Sequence, residues 1–364
     1  MATVDFKLAA GTNVGLYRKN NEDNFIVCPD LASSQWLLPQ SNDYVALGEC
    51  GTLLVVADGM GGMNAGEVAS AMAVDTIQQM FTPEAIAPII NDSKAIQQFM
   101  EQVVKTADKN ILNHSQSDSS TQGMGTTVVM AWLLGTRVYI CWCGDSRIYV
   151  YNKRRGLQQL SKDHSFVQEL IDKGELLPEY AHDHPLSNVI TRCLGNEENR
   201  AQPDTRVYEL RNGDVIMLCS DGLSSMCTDD QIGDIIQQFR DNPQQCRDEL
   251  ISAALSRGGH DNVTVALATV RLDGTEEENE EDGTDNAATE NGEQNTEVEN
   301  EDASQLATTL RNEPVKQRHG CRNILLLLLL IVVVAAVCIY LFADHNMLNQ
   351  YVQPFLTKIK SLTK

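Results

Sequence analysis

Basic residues are scarce in this chain of 364 residues, which holds 28 Lys and Arg against 50 Asp and Glu and has a formal net charge of −22. Residues 272–364 account for −9 of that charge, which leaves −13 on residues 1–271. Because phosphate backbones bind surfaces rich in Lys and Arg, this balance argues against nucleic acid as a partner. A negative surface suits divalent cations, although solubility alone would also favour it.

Cysteine motifs and an N-terminal leader are missing as well. The ten cysteines include no CxxC pair and no Cys/His group at zinc spacing, so we expect reduced, mostly buried thiols in a cytosolic domain. The N-terminus lacks the basic segment followed by an apolar one that is typical of a signal peptide. The sequence therefore indicates a cytosolic domain without structural zinc.

A long apolar run lies near the other end of the sequence, where residues 324–343 carry no charge. A helix of that length reaches roughly 30 Å at a rise of ~1.5 Å per residue, the thickness of a bilayer core. We therefore predict a transmembrane helix at 323–343 and a short tail at 344–364. Lys316, Arg318 and Arg322 precede the run, which favours a single-pass membrane protein with its N-terminal domain in the cytoplasm.

The segment before this run is acidic. Residues 272–310 contain no Lys or Arg and almost no large apolar side chain. Such a segment cannot bury enough apolar surface to offset the entropy lost on ordering. We expect an acidic, disordered, self-repelling linker at 273–322. A docking segment for a basic partner is the alternative.

Residues 1–272 are expected to form one domain. Short segments rich in β-branched and aromatic residues predict strands at 53–57, 126–132, 137–142, 147–151, 214–219 and 262–267. Residues 135–136 and 144–146 are expected to be hairpin turns. Helix caps are expected at Asn64, Ser93, Thr228 and Asn242. Helices that come in pairs between strands favour an α+β fold of antiparallel sheets flanked by helices.

Four aspartates, Asp58, Asp145, Asp221 and Asp261, lie at the ends of apolar strands or in the turns beside them. A carboxylate next to buried apolar strands costs free energy unless it is paired or bound to a metal. No comparable set of Lys or Arg accompanies them, and hard divalent cations prefer oxygen ligands, which indicates Mg²⁺ or Mn²⁺. One Asp-Gly pair alone would be typical of a turn, but four acids in equivalent settings predict a metal site.

Seven short motifs make the prediction more specific. In chain order they are GLYRKNNEDN at 15–24, VADGMGG at 56–62, GMGTT at 123–127, GDSR at 144–147, LSKDHS at 160–165, CSDGL at 219–223 and DNVT at 261–264. Together they resemble the metal-dependent protein phosphatase family, also called protein phosphatase 2C, in its bacterial form. The resemblance covers about residues 4–272. It implies a four-layer αββα fold, with a central antiparallel β-sandwich flanked by helix pairs.

The resemblance also implies a site for two Mn²⁺ or Mg²⁺ ions. Asp58 would bridge the two ions, and the carbonyl group of Gly59 would bind one of them. Asp221 and Asp261 would hold the second ion. Asp145, together with Asp221, would be the ligand of a third, more weakly held ion.

Four further residues are implied around the ions. Glu22 and Asp23 would orient metal-bound waters, and Asn262 would steady the site by hydrogen bonding. Arg18 would pair with the substrate phosphate, a task that suits a bidentate guanidinium. The expected reaction is hydrolysis of phosphoserine and phosphothreonine in proteins by a metal-activated water, with no phospho-enzyme.

One departure from the family concerns proton transfer. Eukaryotic members commonly have His after the Asp-Gly pair, whereas this chain has Met60, as the bacterial branch does. The leaving group would then be protonated by a metal-bound water or another residue. His260 is expected to be structural or solvent-facing, and His164 to belong to the next segment. That segment, about 163–195, resembles the mobile flap of bacterial members; a small packing subdomain is the alternative.

Two other functions stay open at this point. One is a membrane-tethered, non-catalytic scaffold that binds phosphoproteins, although the presence of Asp58, Asp221 and Asp261 weighs against it. The other is a metal hydrolase of small phosphoesters. The expected partners are phosphorylated protein substrates, a cognate Ser/Thr kinase and, through the C-terminal helix, the membrane.

Overall fold

The computed structural model describes residues 3–38, 42–61, 65–182, 184–197 and 201–273. The predicted linker beyond Asp273, the predicted transmembrane helix and the C-terminal tail lie outside these residues. Within the described ranges, no helix combines the length and the apolar character needed to cross a membrane.

The described strands form two sheets. Their bounds are β1 Thr3–Asn13, β2 Asp23–Cys28, β3 Val45–Ala46, β4 Thr52–Met60, β5 Gly125–Thr126, β6 Val128–Leu134, β7 Arg137–Cys143, β8 Arg147–Asn152, β9 Gly156–Gln159, β10 Asp204–Glu209, β11 Val215–Cys219 and β12 Val263–Asp273. The first sheet has the order β3-β1-β12-β11-β8-β9. The second has the order β10-β7-β6-β4-β2, with β5 beside β4. Neighbouring strands run antiparallel throughout both sheets.

Helices cover the outer face of each sheet. Their bounds are α1 Gly66–Met80, α2 Pro83–Ile86, α3 Ser93–Ser117, α4 Phe166–Asp172, α5 Asp221–Ser224, α6 Asp229–Phe239 and α7 Pro243–Ser256. Helices α1 and α3 pack together on the second sheet, against β4 and β7. Helices α6 and α7 pack on the first sheet, where α7 lies against β1 and β12. These four layers confirm the predicted α+β fold.

Three apolar clusters fill the spaces between the layers. Phe6 and Leu54 lie between the two sheets, Leu53 and Trp132 lie under α1 and α3, and Leu250 of α7 packs against the first sheet; all five are fully buried. Alternate residues of β4 therefore enter different clusters. Because both faces of this strand are covered, its sequence is continuously apolar instead of alternating.

The helix starts agree with the predicted caps in two cases and differ in one. Thr228 forms the expected capping box at the start of α6, and the Asn242 side chain caps α7. The prediction for α3 was wrong by one residue, since Asp92 is the cap and Ser93 is the first helical residue. A carboxylate there accepts hydrogen bonds from two free backbone N–H groups and is stabilised by the positive end of the helix dipole. The remaining predicted cap, Asn64, lies outside the described residues.

One of the two predicted hairpin turns was wrong. Gly135 and Thr136 do join neighbouring strands, β6 and β7, but residues 144–146 lead from β7 in the second sheet to β8 in the first. Gly144 has a φ of +119°, and a Cβ on it would lie 2.6 Å from the Cβ of Thr127, so this crossing requires glycine. Asp145 is therefore placed on the link between the two sheets.

Candidate active site

Five aspartates from distant parts of the sequence gather at one end of the sandwich. Asp23 opens β2 and is paired directly with Asp58 of β4. Asp221 is the first residue of α5 after β11, and Asp261 stands just before β12. The charges of these three residues and of Asp145 all act on Asp58. The structure thus brings the predicted ligands together from both sheets and from the link between them.

The backbone of Asp58 is fixed by two threonines. Its carbonyl oxygen accepts hydrogen bonds from the Thr127 N–H at 2.8 Å and the Thr126 hydroxyl at 2.9 Å, and its N–H donates to Thr127 Oγ1 at 3.1 Å. Asp58 and Asp221 lie close enough for each carboxyl group to act on the pKa of the other. Burial, and then the charges of Asp23 and Asp221, raise the pKa of Asp58 well above its ordinary value. Asp58 therefore tends to retain a proton.

Two buried carboxyl oxygens lack a partner. Asp23 is 7% exposed; its Oδ2 accepts from the hydroxyls of Ser220 and Thr264 at 2.7 and 2.6 Å, whereas its Oδ1 has no partner among the described residues. Burial raises the pKa of Asp23 to about 7. Asp145 is 9% exposed, its Oδ1 also finds no hydrogen bond within the described ranges, and burial raises its pKa. An unpaired buried oxygen is costly, and a cation or a proton relieves that cost.

The donor set fits a hard divalent cation, because every clustered side chain offers oxygen and two of them carry the unpaired oxygens. In the described part of the chain, however, no three His, Cys, Asp or Glu side chains are arranged to hold an ion together. One oxygen of Asp261 accepts a hydrogen bond from Arg18, so it faces a guanidinium. Binding of a cation by this oxygen would require the contact between Arg18 and Asp261 to open.

Gly59 occupies a position where no side chain fits. A Cβ on it would lie 2.2 Å from the carbonyl oxygen of Gly66 and 2.4 Å from that of Glu22. The Gly59 N–H donates to the Glu22 carbonyl at 3.1 Å, and the Ser70 hydroxyl donates to the same oxygen at 2.6 Å. These contacts hold β4, the start of α1 and the segment before β2 together beside Asp58.

Asn262 ties the segment before β2 to the start of β12. It is 3% exposed, its Oδ1 accepts from the Glu22 N–H at 2.7 Å, and its Nδ2 donates to the carbonyls of Val14 and Asn20 at 2.9 and 3.0 Å. Burial raises the pKa of the Glu22 carboxyl. Asn262 therefore fixes the position of Glu22 and of the loop that carries Arg18.

Arg18 reaches the aspartates from that loop. Its Nη2 donates to Asp261 Oδ2 at 2.7 Å, and this hydrogen bond raises the pKa of the guanidinium. The two side chains are 49% and 34% exposed. An ion pair this open to solvent contributes only about 0–1 kcal/mol. The guanidinium can therefore leave Asp261 for another anion with little loss of stability.

The predicted flap segment begins beside Asp145. His164 is 6% exposed; its backbone N–H donates to the Gly144 carbonyl at 3.0 Å, and its ring Nδ1 accepts from the Gly144 N–H at 3.1 Å. Its other ring nitrogen lies 3.1 Å from Asp204 Oδ2 in β10. Burial lowers the pKa of His164. This residue thus joins the start of the flap to the turn that carries Asp145.

A family model for protein phosphatase 2C matches residues 41–258, more than half of the chain. The chain belongs to the protein phosphatase 2C family. The serine/threonine phosphatase stp of Listeria monocytogenes is 37% identical over 215 residues, which cover 59% of this chain and 83% of that protein.

Solved structures of protein phosphatase 2C relatives agree with this assignment. The serine/threonine phosphatase of S. agalactiae has a TM-score of 0.62 and 31% identity, over 72% of this chain and 98% of that one. The catalytic domain of the serine threonine protein phosphatase PstP, in complex with two manganese ions, has a TM-score of 0.58 and 32% identity, over 74% and 100%. These comparisons confirm a protein serine/threonine phosphatase that depends on divalent metal.

Four hydroxyl residues of this protein phosphatase 2C site were not predicted to have a role. Ser220 and Thr264 hold Asp23, and Thr126 and Thr127 hold Asp58; each of the four is at most 1% exposed. Each lies inside or at the end of an apolar strand. Because buried hydroxyls need partners, a Ser or Thr in such a position was the available signal.

Three other residues bear on alternative chemistries. Met60 lies at the end of β4, paired with Gly125 of β5. His260 is exposed to solvent, in agreement with its predicted setting. Cys141 precedes Arg147 at the Cys-x5-Arg spacing of cysteine phosphatases, but it is fully buried within β7 and burial raises its pKa, which excludes a thiolate nucleophile there.

Proposed function

We propose that this chain hydrolyses phosphoserine and phosphothreonine in proteins at the cluster of Asp23, Asp58, Asp145, Asp221 and Asp261, with Mn²⁺ or Mg²⁺ as cofactor. The observation that supports this most is a partly buried cluster of acids that offers only oxygen ligands, in which two buried carboxyl oxygens have no partner among the described residues. The solved PstP domain with its two manganese ions favours a pair of ions.

In this proposal the aspartates hold the ions. Asp58, with the carbonyl group of Gly59, would hold one ion, and Asp221 with Asp261 would hold the second. Asp145 would hold a third ion together with Asp221. Divalent ions in such a site supply Lewis acidity, which lowers the pKa of water and offsets negative charge on a phosphoryl group.

The proposed role of Arg18 is to bind the phosphoryl group. If Asp261 binds a cation, the Arg18 guanidinium would be free to donate two parallel hydrogen bonds to phosphate oxygens. Asn262 keeps the Arg18 loop in place through its buried hydrogen bonds. Glu22 and Asp23 would hold water close to the ions, and Asp23 is oriented by Ser220.

We further propose that residues 323–343 anchor the enzyme in a membrane, with the phosphatase domain in the cytoplasm. The uncharged run at 324–343 and the three bases before it support this placement. A phosphoserine or phosphothreonine substrate has to be made by a protein kinase, so a Ser/Thr kinase is the expected counterpart.

The test is phosphate release by purified residues 1–273 from phosphoserine, phosphothreonine and phosphotyrosine peptides and from a small phosphoester. Each reaction is run with Mn²⁺, with Mg²⁺ and with chelator. We expect turnover of the first two peptides only with metal, and recovery when metal is returned after chelation. Asp58→Asn and Asp221→Asn should lower kcat by about a thousandfold or more, the scale at which essential catalytic groups act. Asp75→Asn, an exposed change on α1, is the matched control.

Each alternative predicts a different result. A binding scaffold would bind the phosphopeptides without releasing phosphate. A small-phosphoester hydrolase would turn over the small ester faster than the peptides at equal concentration. Metal-independent turnover, or full activity of Asp58→Asn, would contradict the proposed function.

A further inference from the structure

Tyr17 and His260 form an exposed pair of rings beside the Arg18–Asp261 ion pair. Their ring centroids are 4.7 Å apart, and the ring planes are inclined by 39°. Tyr17 directly precedes Arg18 and His260 directly precedes Asp261, so the same two segments present two rings and two charges side by side. Tyr17 is 69% exposed, although large aromatic side chains are mostly well buried.

The neighbouring surface is apolar too. Leu16 is 64% exposed and Val14 is 37% exposed. Single exposed apolar residues are normal, but several together next to a site mark a binding surface. The exposed apolar residues of this loop therefore indicate a binding surface.

This exposed surface is also rigidly held. The Leu16 N–H donates to the Gly259 carbonyl at 2.8 Å. Gly15 has a φ of +79°, and a Cβ on it would lie 2.2 Å from the carbonyl oxygen of Asp261, so the two segments are in direct backbone contact. A surface fixed in advance loses little conformational entropy when a ligand binds. A surface that is rigid, exposed and apolar is typical of a recognition site.

We propose that the Tyr17–His260 pair, together with Leu16, receives an apolar side chain of the substrate protein, next in sequence to the phosphorylated residue. This inference rests on the proposed function, because it takes Arg18 as the contact for the phosphate. An extended peptide advances only ~3.3 Å per residue, so the neighbour of the phosphoresidue reaches the surface beside Arg18.

The charges around the pair select the apolar occupant. Arg18 is paired with Asp261 and acted on by Glu22, so a charged side chain of either sign would meet a like charge as well as an opposite one, and would lose hydration on entering. An apolar side chain buries ring surface without either penalty. The substrate class that follows is a phosphoserine or phosphothreonine flanked by Leu, Met, Phe or a similar residue.

The experiment uses the full chain with Mn²⁺ and pairs of phosphopeptides that differ only in Leu against Asn at the residue before or after the phosphoserine. Values of kcat/KM give the preference. Fluorescence anisotropy with non-hydrolysable phosphonate versions of the same peptides gives the binding ratio. We expect a preference for Leu of about tenfold on one side, the factor that about 1.4 kcal/mol provides.

Three variants test the residues. Tyr17→Ala should bring the Leu/Asn ratio close to one, mainly through KM, and Tyr17→Phe should keep it. Tyr44→Ala is the matched control, because that ring lies on Lys7 and Arg271, roughly 20 Å along β1 from the site at ~3.3 Å per residue. Melting temperatures should show that all three variants are folded.

The outcomes separate this inference from the function on which it rests. A Leu/Asn ratio near one in the wild type, or a ratio that survives Tyr17→Ala, would overturn the inference while phosphate release continued. Absence of hydrolysis with a Leu preference retained in binding would overturn the proposed function alone. Absence of both hydrolysis and binding would overturn both.

Discussion

Asp23 and Asp58 are directly paired across β2 and β4, so two carboxyl groups share one position of the second sheet. Burial raises the pKa of Asp23 from 3.8 to about 7 and raises that of Asp58 well above its ordinary value. A raised pKa means that the folded state binds the proton more tightly than the unfolded state. This contribution to stability is complete below pH 3.8 and is lost as the pH rises through about 7.

The first prediction is that the metal-free enzyme loses stability between pH 4 and pH 7. For Asp23 the loss is on the order of 4 kcal/mol, since one pKa unit corresponds to about 1.4 kcal/mol. Asp23→Asn removes this titration and still offers an oxygen to Ser220 and Thr264. The free energy of unfolding of this variant should therefore fall less steeply with pH than that of the wild type. Urea unfolding of the metal-free protein, prepared with chelator, measures the free energy of unfolding at several pH values. Equal slopes for wild type and variant would show that Asp23 does not titrate in this range.

The second prediction concerns Arg18. Arg18→Ala should raise KM for phosphopeptides by about 10- to 100-fold, the scale of a lost charge-assisted hydrogen bond of about 1.5–3 kcal/mol. Arg18→Lys should recover part of the loss, because it keeps the charge but not the bidentate geometry. Steady-state kinetics with one phosphoserine peptide measures both.

The control for Arg18 is Arg137→Ala. Arg137 is exposed to nearly the same extent, 48% against 49%, and is paired with Glu209 at 2.6 Å. Arg137→Ala should leave KM unchanged. Both alanine variants should change the free energy of unfolding by less than about 1 kcal/mol. An Arg18→Ala enzyme with wild-type KM would rule out phosphate binding by this residue.

The third prediction concerns His164, which positions the Gly144–Asp145 turn. His164→Ala removes the acceptor for the Gly144 N–H and should raise the Mn²⁺ concentration needed for half-maximal activity by about tenfold, as loss of a supporting residue does at metal sites. His164→Asn places an oxygen near the lost Nδ1 and should largely restore the Mn²⁺ response. His164→Gln reaches towards Asp204 instead and should not.

Calorimetric titration with Mn²⁺ provides a second readout for these variants, independent of turnover. A purely structural role would lower the stability of all three variants and leave their Mn²⁺ affinities alike. The same affinity in His164→Asn and His164→Gln would therefore contradict a positioning role through Gly144.

The fourth prediction concerns the proposed anchor. Removal of residues 320–364 should move the enzyme from the membrane fraction to the soluble fraction. Its kcat/KM on phosphopeptides should stay within about twofold, because a domain with its own core folds independently. Fractionation and kinetics on the same preparations measure both effects. Loss of activity in a folded truncated protein would mean that the C-terminal region does more than anchor.

The sequence allowed the fold class and most central strands to be predicted, because their composition is dominated by burial on both faces. The predicted strand at 53–57 is part of β4, and that at 214–219 covers β11. Strand β1 was not predicted, although Val4, Phe6 and Leu8 alternate with polar residues and are buried. The crossing at residues 144–146 could not be predicted, because turn chemistry does not specify which sheet the next strand joins.

For the site, motif resemblance identified the acids that gather, but their pairing is a tertiary property. Nothing local indicates that Arg18 donates a hydrogen bond to Asp261, or that Asp221 lies close enough to Asp58 to shift its pKa, because these partners are far apart in sequence. The same holds for Ser220 and its contact with Asp23. Such contacts depend on how the two sheets are stacked, which no single segment encodes.

The arrangement of the acids has a consequence for the lifetime of the enzyme. Asp23 and Asp58 belong to one sheet, and Asp221 and Asp261 follow or precede strands of the other, so an ion that binds both sets would join the two sheets. At a hundred times its dissociation constant, such a ligand adds about 2.7 kcal/mol of stability. A cell short of the metal would therefore hold a phosphatase that is slower and also easier to unfold and digest.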